Sequence, residues 1–505
     1  MFDGRRSGLL LHLTSLPGRF GVGTLGRGAK DFIDFLAESG QRYWQILPCG
    51  VVSPDFDCSP YMSLSAFAGN SLLIDPELLV AEGLLERKDL ADVPDFSEYS
   101  VDFDQVIRFN RRIMETAFLA FQSGKSTADF EAFCKTTRWL DDFALFAALH
   151  EQFSGKPWNE WPADIAAREP LALARWREQL REPVRYHQFV QFCFYAQWQQ
   201  LRNYAADNGI ALIGDIPIYV AQDSADVWGN QACFRLDSKT GLPTHVAGVP
   251  PDYFSETGQR WGNPLFVWQD DAGHDNESLY SWWADRLLHS FHTVDLIRID
   301  HFRGFESYWE IAADEATAIN GRWVPGPGHH FFDEMKKRVG ELPIIAEDLG
   351  IITPEVERLR DDLGFPGMKI LQFAFDSDEH NAYLPHNYKS SNCVVYTGTH
   401  DNDTTVGWFL SDRADQASKD RVMRYAHSRI GAPVHWDFIR MAYSSVAALA
   451  VIPLQDVLGF GSDCRMNMPS TSQGNWRWRC APRFLTPELA ARLKDEVIFY
   501  NRLPG

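Results

Sequence analysis

The amino-acid sequence predicts a single (β/α)8 TIM barrel of the α/β class, with subdomains inserted between its strands and no separate C-terminal β-domain. Three observations support this prediction. Eight short apolar runs have the composition of buried strands. The chain opens with strand, helix, strand, which is typical of a parallel sheet. The length of 505 residues suits one barrel that carries insertions.

The eight predicted strands remain once a strand-like run in an insertion is set aside. They cover residues 9–13, 43–48, 210–216, 294–300, 343–347, 369–375, 392–397 and 449–454. A predicted helix over residues 28–39 joins the first two and ends at Gly40, a residue type that commonly follows a helix. Another strand-like run, residues 308–311, begins too soon after Asp300 for a helical crossover, so we assign it to an insertion.

Three insertions interrupt the predicted barrel, which otherwise forms one catalytic unit over residues 1–505. Residues 75–185, approximately, have helical periodicity and few strand signals, so we expect a helical insertion. Residues 221–290 form the second insertion, and its part up to residue 266 has little regular pattern. A structureless loop of that length is usually a lid or a binding loop. Residues 305–335 form the third insertion.

Composition and charge exclude several classes of function. The 48 basic and 68 acidic residues give a net charge of −20, which argues against nucleic acid and anionic membranes as partners. The first apolar run stops at His12 and is too short for a signal peptide, and residues 446–454 fall far short of a membrane span. The eight cysteines lack the spacing of metal ligands. We therefore expect a cytoplasmic protein without metal or cofactor.

Carboxylates mark the C-terminal ends of four predicted strands, which is the end where barrel enzymes place their catalytic groups. They are Asp215, Asp300, Glu347 and Asp401, on strands three, four, five and seven. Each alone could be a helix cap or a structural ion pair. Carboxylates could also bind Mg²⁺ or Ca²⁺, but the sequence has no phosphate-binding loop or EF-hand. Together with Arg298 and His400, the four indicate paired-carboxylate cleavage of a glycosidic bond.

That chemistry needs one ionised and one protonated carboxyl group. Arg298 lies two residues before Asp300, so both side chains point to the same side of the strand, about 7 Å apart. A nearby cation lowers a carboxyl pKa, and we expect Arg298 to keep Asp300 ionised. Glu347 follows three apolar residues, and apolar surroundings should raise its pKa, as a general acid requires.

At these residues the chain resembles the 4-α-glucanotransferases, also called amylomaltases or disproportionating enzymes, which are relatives of the α-amylases. The resemblance runs nearly from end to end. Its catalytic motifs are residues 298–304 (RIDHFRG), 345–350 (IAEDLG) and 398–404 (GTHDNDT), and further matches are 11–18, 59–61, 65–70, 214–220, 465–467 and 474–476. The segment 247–264 is the most specific part. Two departures, Cys464 and a serine at 470 where glycine is expected, touch no catalytic position.

The resemblance implies that Asp300 is the nucleophile, Glu347 the general acid/base and Asp401 the transition-state stabiliser. It implies substrate contacts for Tyr61, Asp215, Arg298, His400, Tyr253, Gln259, Trp261 and Asn467. The implied partners are a maltooligosaccharide or α-1,4-glucan donor and a glucose or glucan acceptor. The implied mechanism is a retaining double displacement, in which the Asp300 and Glu347 carboxyls lie about 5–5.5 Å apart.

Transfer requires that water be kept from the glycosyl-enzyme while an acceptor sugar is held. Segment 247–264 could do both, with Tyr253 and Trp261 as aromatic walls and Gln259 as a polar contact, although it could also be a surface connector. An α-glucan hydrolase with the same carboxylates is the nearest alternative, and it would raise the number of reducing ends. A non-catalytic glucan-binding protein is the other alternative, but it would not need a full set of acid, base and nucleophile.

Overall fold

The computed structural model describes residues 2–124, 127–251, 255–429 and 431–503. Within these ranges it has twelve strands. They are β1 (Arg6–Leu10), β2 (Tyr43–Gln45), β3 (Ala211–Pro217), β4 (His245–Val249), β5 (Gln259–Pro264), β6 (Leu296–Asp300), β7 (Ser307–Ala312), β8 (Arg322–Pro325), β9 (Ile344–Ala346), β10 (Gly367–Ile370), β11 (Cys393–Tyr396) and β12 (Leu449–Pro453).

Eight of these strands form one parallel sheet in the order β10-β11-β12-β1-β2-β3-β6-β9. The two edge strands meet, because the Ala346 N–H donates to the Pro366 carbonyl at 2.9 Å. The sheet therefore curls into a barrel, and the predicted (β/α)8 fold is confirmed. The predicted bounds of strands one and six were wrong. Their apolar runs continue past β1 and β10 into the buried 3₁₀ turns Leu13–Ser15 and Leu371–Phe375, where burial continues although the strand has ended.

Seventeen α-helices lie within the described ranges. They are α1 (Arg27–Glu38), α2 (Pro76–Ala81), α3 (Phe103–Gly124), α4 (Ala128–Thr136), α5 (Leu140–Gln152), α6 (Ala163–Ala166), α7 (Pro170–Gln179), α8 (Arg181–Asp207), α9 (Ala225–Gly229), α10 (Glu277–Thr293), α11 (Gly328–Val339), α12 (Pro354–Asp362), α13 (Thr405–Leu410), α14 (Gln416–Tyr425), α15 (Val434–Ser444), α16 (Leu454–Leu458) and α17 (Pro487–Phe499). Helices α1, α8, α10, α11 and α12 each precede a barrel strand. None of the described helices is long and apolar enough to cross a membrane.

A second, antiparallel sheet has the strand order β5-β4-β7-β8. The expectation of little regular structure in residues 221–266 was wrong, because β4 and β5 lie there. These strands are short and contain Gly248 and Gly262, and β4 pairs with β7 from a later part of the chain, so a local pattern does not reveal them. The division into one barrel with three insertions stays a prediction.

Alternate residues of the barrel strands fill the barrel interior with a closed apolar cluster that includes Ile213, Leu296 and Ile345. Side chains alternate along a strand, so Asp215 continues the inward face of Ile213. Arg298 and Asp300 continue the inward face of Leu296 in the same way. In the parallel ladder between β3 and β6, Asp215 is the direct partner of Arg298. Strand register therefore brings three charged side chains together above an apolar floor.

Candidate active site

A buried ion-pair chain links the third and fourth barrel strands at the C-terminal rim. Arg298 donates through Nη1 to both oxygens of Asp215, at 2.7 Å each. Its Nη2 lies 2.8 Å from Oδ1 of Asp300. The side chains of Arg298 and Asp215 are 3% and 0% exposed, whereas that of Asp300 is 30% exposed. Of these three groups, Asp300 is therefore the one that is open to the cleft.

Tyr61 lies against the Asp215 end of this row of ion-paired side chains. Its hydroxyl donates to Oδ2 of Asp215 at 2.9 Å, and its ring stacks on His400 with a centroid distance of 5.1 Å and an interplanar angle of 13°. Burial, together with the charge of Asp215, raises the pKa of Tyr61 well above its ordinary value. The hydroxyl therefore keeps its proton and acts as a donor. The loop that carries Tyr61 is anchored where the N–H of Ala66 donates to the buried carboxylate of Asp226, at 2.7 Å.

Backbone groups hold Glu347 immediately after β9. The N–H of His301 donates to its Oε2 at 2.7 Å, and the N–H of Leu349 donates to its Oε1 at 2.9 Å. His301 takes the left-handed conformation with φ of 57°, which is uncommon outside glycine. Because His301 directly follows Asp300, the backbone next to one carboxylate binds the other.

The two carboxyl groups differ in how firmly they hold a proton. Burial, followed by the negative charge of Asp300, raises the pKa of Glu347 to about 8, so that it is mostly protonated at neutral pH. The expected direction for Glu347 is therefore confirmed. Arg298 lowers the pKa of Asp300, as expected, but the net shift is upward, because burial raises this pKa by more than Arg298 lowers it. That Asp300 is ionised at neutral pH stays a prediction. Burial lowers the pKa of Arg298, but the adjacent carboxylates raise it by more, so the pKa of the guanidinium lies well above its ordinary value.

Asp401 lies in the loop after β11 and is held by three partners. His400 Nε2 is 3.3 Å from its Oδ2, and Asn467 Nδ2 donates to its Oδ1 at 2.6 Å. The guanidinium of Arg465 donates to the carbonyls of both Asp401 and Asn467. Asn467, which the resemblance places at the substrate, thus also orients Asp401. The carboxylate remains 44% exposed and open to the cleft.

Strand β5 carries two further predicted site residues. The ring of Trp261 contacts His301 edge to face at a centroid distance of 4.8 Å. Its Nε1 donates to the side-chain oxygen of Gln259 at 3.1 Å. Both residues therefore lie beside the turn that follows Asp300. Tyr253, the remaining predicted contact, lies outside the described residues.

Two features of the site were missed by the sequence reasoning. The backbone N–H of His301 binds Glu347, a role that no side-chain motif signals. Trp476 also lies near the site, 5.8 Å from Tyr61 and 6.1 Å from His400 between ring centroids. Its position in the glycine-asparagine-tryptophan segment was the available signal. Among the described residues, no group of three or more His, Cys, Asp or Glu side chains is arranged to hold a metal.

Comparison with known proteins agrees with this geometry. Residues 11–486 match the family model described as 4-alpha-glucanotransferase, glycoside hydrolase family 77. The 4-alpha-glucanotransferases of Synechocystis sp. and Thermus thermophilus are 50% and 48% identical, each over 99% of both chains. The structure of amylomaltase from Streptococcus agalactiae in complex with acarbose has a TM-score of 0.93 at 42% identity, over 99% of this chain and 100% of that one. The chain therefore belongs to the 4-alpha-glucanotransferase family, as its motifs predict, and the hydrolase alternative is not favoured.

Proposed function

We propose that this enzyme transfers α-1,4-glucan segments from a maltooligosaccharide or α-1,4-glucan donor to the 4-hydroxyl of a glucose or glucan acceptor. The observation that carries the proposal is the pairing of two carboxyl groups with opposite tasks. Asp300 is ion-paired with Arg298, and Glu347, held by the N–H of His301, has a pKa of about 8. The Streptococcus agalactiae relative, solved with acarbose, supports a substrate of sugar residues.

The reaction proceeds through two displacements. In the first, Asp300 attacks C1 of the donor while Glu347 gives its proton to the leaving glycosidic oxygen, which releases the shortened glucan. In the second, Glu347 takes the proton of the acceptor hydroxyl as that oxygen attacks C1 and displaces Asp300. Each step inverts C1, so the product keeps the α configuration. We expect a separation of about 5–5.5 Å between the two carboxyl groups, as this mechanism requires.

The remaining site residues hold the reacting sugar. Asp401, oriented by Asn467 and His400, would bind ring hydroxyls and stabilise the oxocarbenium-like transition state. Tyr61 offers its ring as a stacking face, and the Asp215 and Arg298 pair fixes its hydroxyl. These side chains bind each other in the protein, so most of the site is ordered before the sugar arrives.

Transfer in preference to hydrolysis requires an acceptor site from which water is excluded. Strand β5 supplies one wall of such a site, because Trp261 packs against His301 beside the turn that carries Asp300. Gln259 binds the indole of Trp261 and keeps it oriented. A wall built on a sheet is more rigid than a loop, and we propose that Trp261 stacks on the acceptor sugar.

The net charge of the protein limits its binding partners, and the state of its cysteines indicates its cellular location. The net charge of −20 opposes contact with nucleic acid or an anionic membrane surface. All eight cysteines are free thiols, a state that the reducing cytoplasm maintains. We propose a cytoplasmic location, which cell fractionation followed by immunoblotting checks.

Incubation of the purified enzyme with maltotriose tests the proposed function. We expect a ladder of longer glucans together with glucose and maltose, at a constant number of reducing ends. Asp300→Asn removes the attacking carboxylate and should lower the rate by at least about 10⁴-fold. A rise in reducing ends without longer products would show hydrolysis, and full activity in Asp300→Asn would exclude the double displacement.

A further inference from the structure

The barrel has one seam where its strands are not paired by a ladder. Strands β9 and β10 stand at the two ends of the sheet order. Across residues 344–370, all of which the structure describes, the backbone bond from the Ala346 N–H to the Pro366 carbonyl joins them. Glu347 follows β9 directly, so the acid/base residue stands at the least paired part of the barrel wall.

The side chain of Asp348 bridges this seam. Its Oδ1 accepts the backbone N–H of Met368, on β10, at 2.7 Å. Its Oδ2 pairs with the guanidinium of Arg360, on α12. The carboxylate is only 4% exposed and lies within the wall, away from the cleft. Asp348 therefore takes the place of a missing strand-to-strand hydrogen bond.

The opposite strand is shaped to receive this carboxylate. A Cβ at Gly367 would collide with Oδ2 of Asp348 and would come within 2.9 Å of Arg360 Nη1. Gly367 does not have a positive φ, so space rather than backbone conformation requires glycine there. The carboxylate of Asp348 therefore packs directly against Gly367 across the seam.

We propose that Asp348 is a positioning residue, which fixes Glu347 at hydrogen-bonding distance from the leaving glycosidic oxygen by tying its segment to β10. This inference rests on the proposed general-acid role of Glu347. On its other side Glu347 is held by the turn that follows β6, through the N–H of His301 to its carboxylate and the N–H of Phe302 to its carbonyl. Asp348 supplies the second of two opposed attachments. Without it, the segment can shift away from β10.

A shift of about 1 Å in a catalytic group costs about 10²-fold in rate. Asp348→Ala should therefore lower kcat on maltotriose about 10²-fold, while KM changes little because Asp348 does not face the cleft. The loss should depend on the leaving group. A glucan leaving oxygen needs a proton from Glu347, but fluoride leaves without one.

The experiment compares maltotriose with α-maltosyl fluoride as donors. For the fluoride we measure the burst of fluoride release in the first turnover, when Asp300 forms its bond to C1 and the C1–F bond breaks. Asp348→Ala should be slow with maltotriose but should release the fluoride burst at close to the wild-type rate. Glu347→Gln serves as the reference for loss of the acid and should show the same selective recovery.

Two further variants separate positioning from folding. Asp348→Asn has nearly the same shape and can still accept the Met368 N–H, so it should keep more activity than Asp348→Ala. Gly367→Ala pushes on the carboxylate from the opposite strand, and it should reproduce the leaving-group dependence of Asp348→Ala. In the double variant the colliding carboxylate is absent, so the two losses should be less than additive.

The outcomes are distinct. Equal losses with both donors in Asp348→Ala and Gly367→Ala, or no loss in either, would overturn the positioning role. No fluoride recovery in Glu347→Gln would overturn the acid role of Glu347 and the inference with it. Selective recovery in Glu347→Gln but not in the two seam variants would leave the proposed function standing and remove Asp348 from it.

Discussion

The two ends of the barrel bury arginine in opposite ways. At the C-terminal rim, Arg298 binds the carboxylates of Asp215 and Asp300. At the N-terminal end, Arg502 donates to five backbone carbonyls, those of Arg6, Ala442, Tyr443, Ser445 and Ala447, at 2.8–3.1 Å. Arg5 nearby donates to the carbonyls of Tyr443, Ser445 and Tyr500. In the part of the chain that the structure describes, no carboxylate lies within ion-pair distance of either.

The carbonyl site of Arg502 suits a stabilising role, whereas the carboxylate site of Arg298 suits a reactive one. Carbonyl dipoles hold a cation without adding a group that titrates near neutral pH. Burial lowers the pKa of Arg502 to about 9, which still leaves it charged at neutral pH. At the rim, carboxylates surround the cation and act on one another, and the pKa of Glu347 reaches about 8. At the rim, therefore, the partners of the buried arginine are groups that can exchange protons, whereas the carbonyl partners of Arg502 cannot.

Removing the cation at the rim should have the largest effect. Arg298→Met leaves the carboxylates of Asp215 and Asp300 without their cation, which raises the pKa of Asp300 further and disfavours the ionised form that attacks C1. We expect a loss of about 10³-fold in kcat/KM on maltotriose. We also expect a loss of about 3–5 kcal/mol in the free energy of unfolding. Initial rates and denaturant unfolding measure the two effects.

Arg298→Lys is the matched control for this change. It keeps the charge but cannot bind both carboxylates with a planar fork, so its loss of activity should be smaller than that of Arg298→Met. Activity in Arg298→Met equal to that of the wild type would show that Asp300 does not depend on this ion pair.

Removing the cation at the opposite end should change stability alone. Arg502→Met leaves five carbonyls without their charged donor, and we expect a loss of at least about 3 kcal/mol in the free energy of unfolding. The folded variant should keep the wild-type kcat, because Arg502 lies at the far end of the barrel from Asp300. Denaturant unfolding and initial rates on maltotriose check both points. A fall in kcat at full folding would show that the two ends are coupled.

Sequence reasoning found the rim because its signals are local. The barrel strands are short apolar runs, and in four of them a predicted site carboxylate stands at or just after the end of the run, as in the segment from Leu296 to Asp300. Strand alternation then places Arg298 on the same face as Asp300. The eight strands and the carboxylate rim could therefore be predicted from the sequence.

The rest depends on contacts between distant segments. The antiparallel sheet forms only when β4 meets β7, and Arg502 resembles any surface arginine until the chain termini meet. The direction of the pKa shift of Asp300 depends on how deeply it is buried, and no residue spacing reports that depth. Asp348 acts through β10, which follows it along the chain but is aligned with it only in the closed barrel.

The smallest expected effect is a pH dependence of stability that Glu347 contributes. Its pKa is about 8 in the folded state and 4.5 ordinarily, so between these values the folded protein holds a proton that the unfolded chain releases. The free energy of unfolding therefore falls as the pH rises from about 4.5 to about 8. Glu347→Gln lacks this group, and its Tm should rise relative to wild type by about 1–3 °C across that window. Thermal denaturation of both proteins at pH 5, 7 and 9 measures the difference. The transfer rate of the wild type should also fall above about pH 8, because Glu347 then loses the proton that the leaving oxygen needs. A difference in Tm that does not vary with pH would mean that the carboxyl group of Glu347 has an ordinary pKa, and the contrast between the two ends of the barrel would then rest on the ion pairs alone.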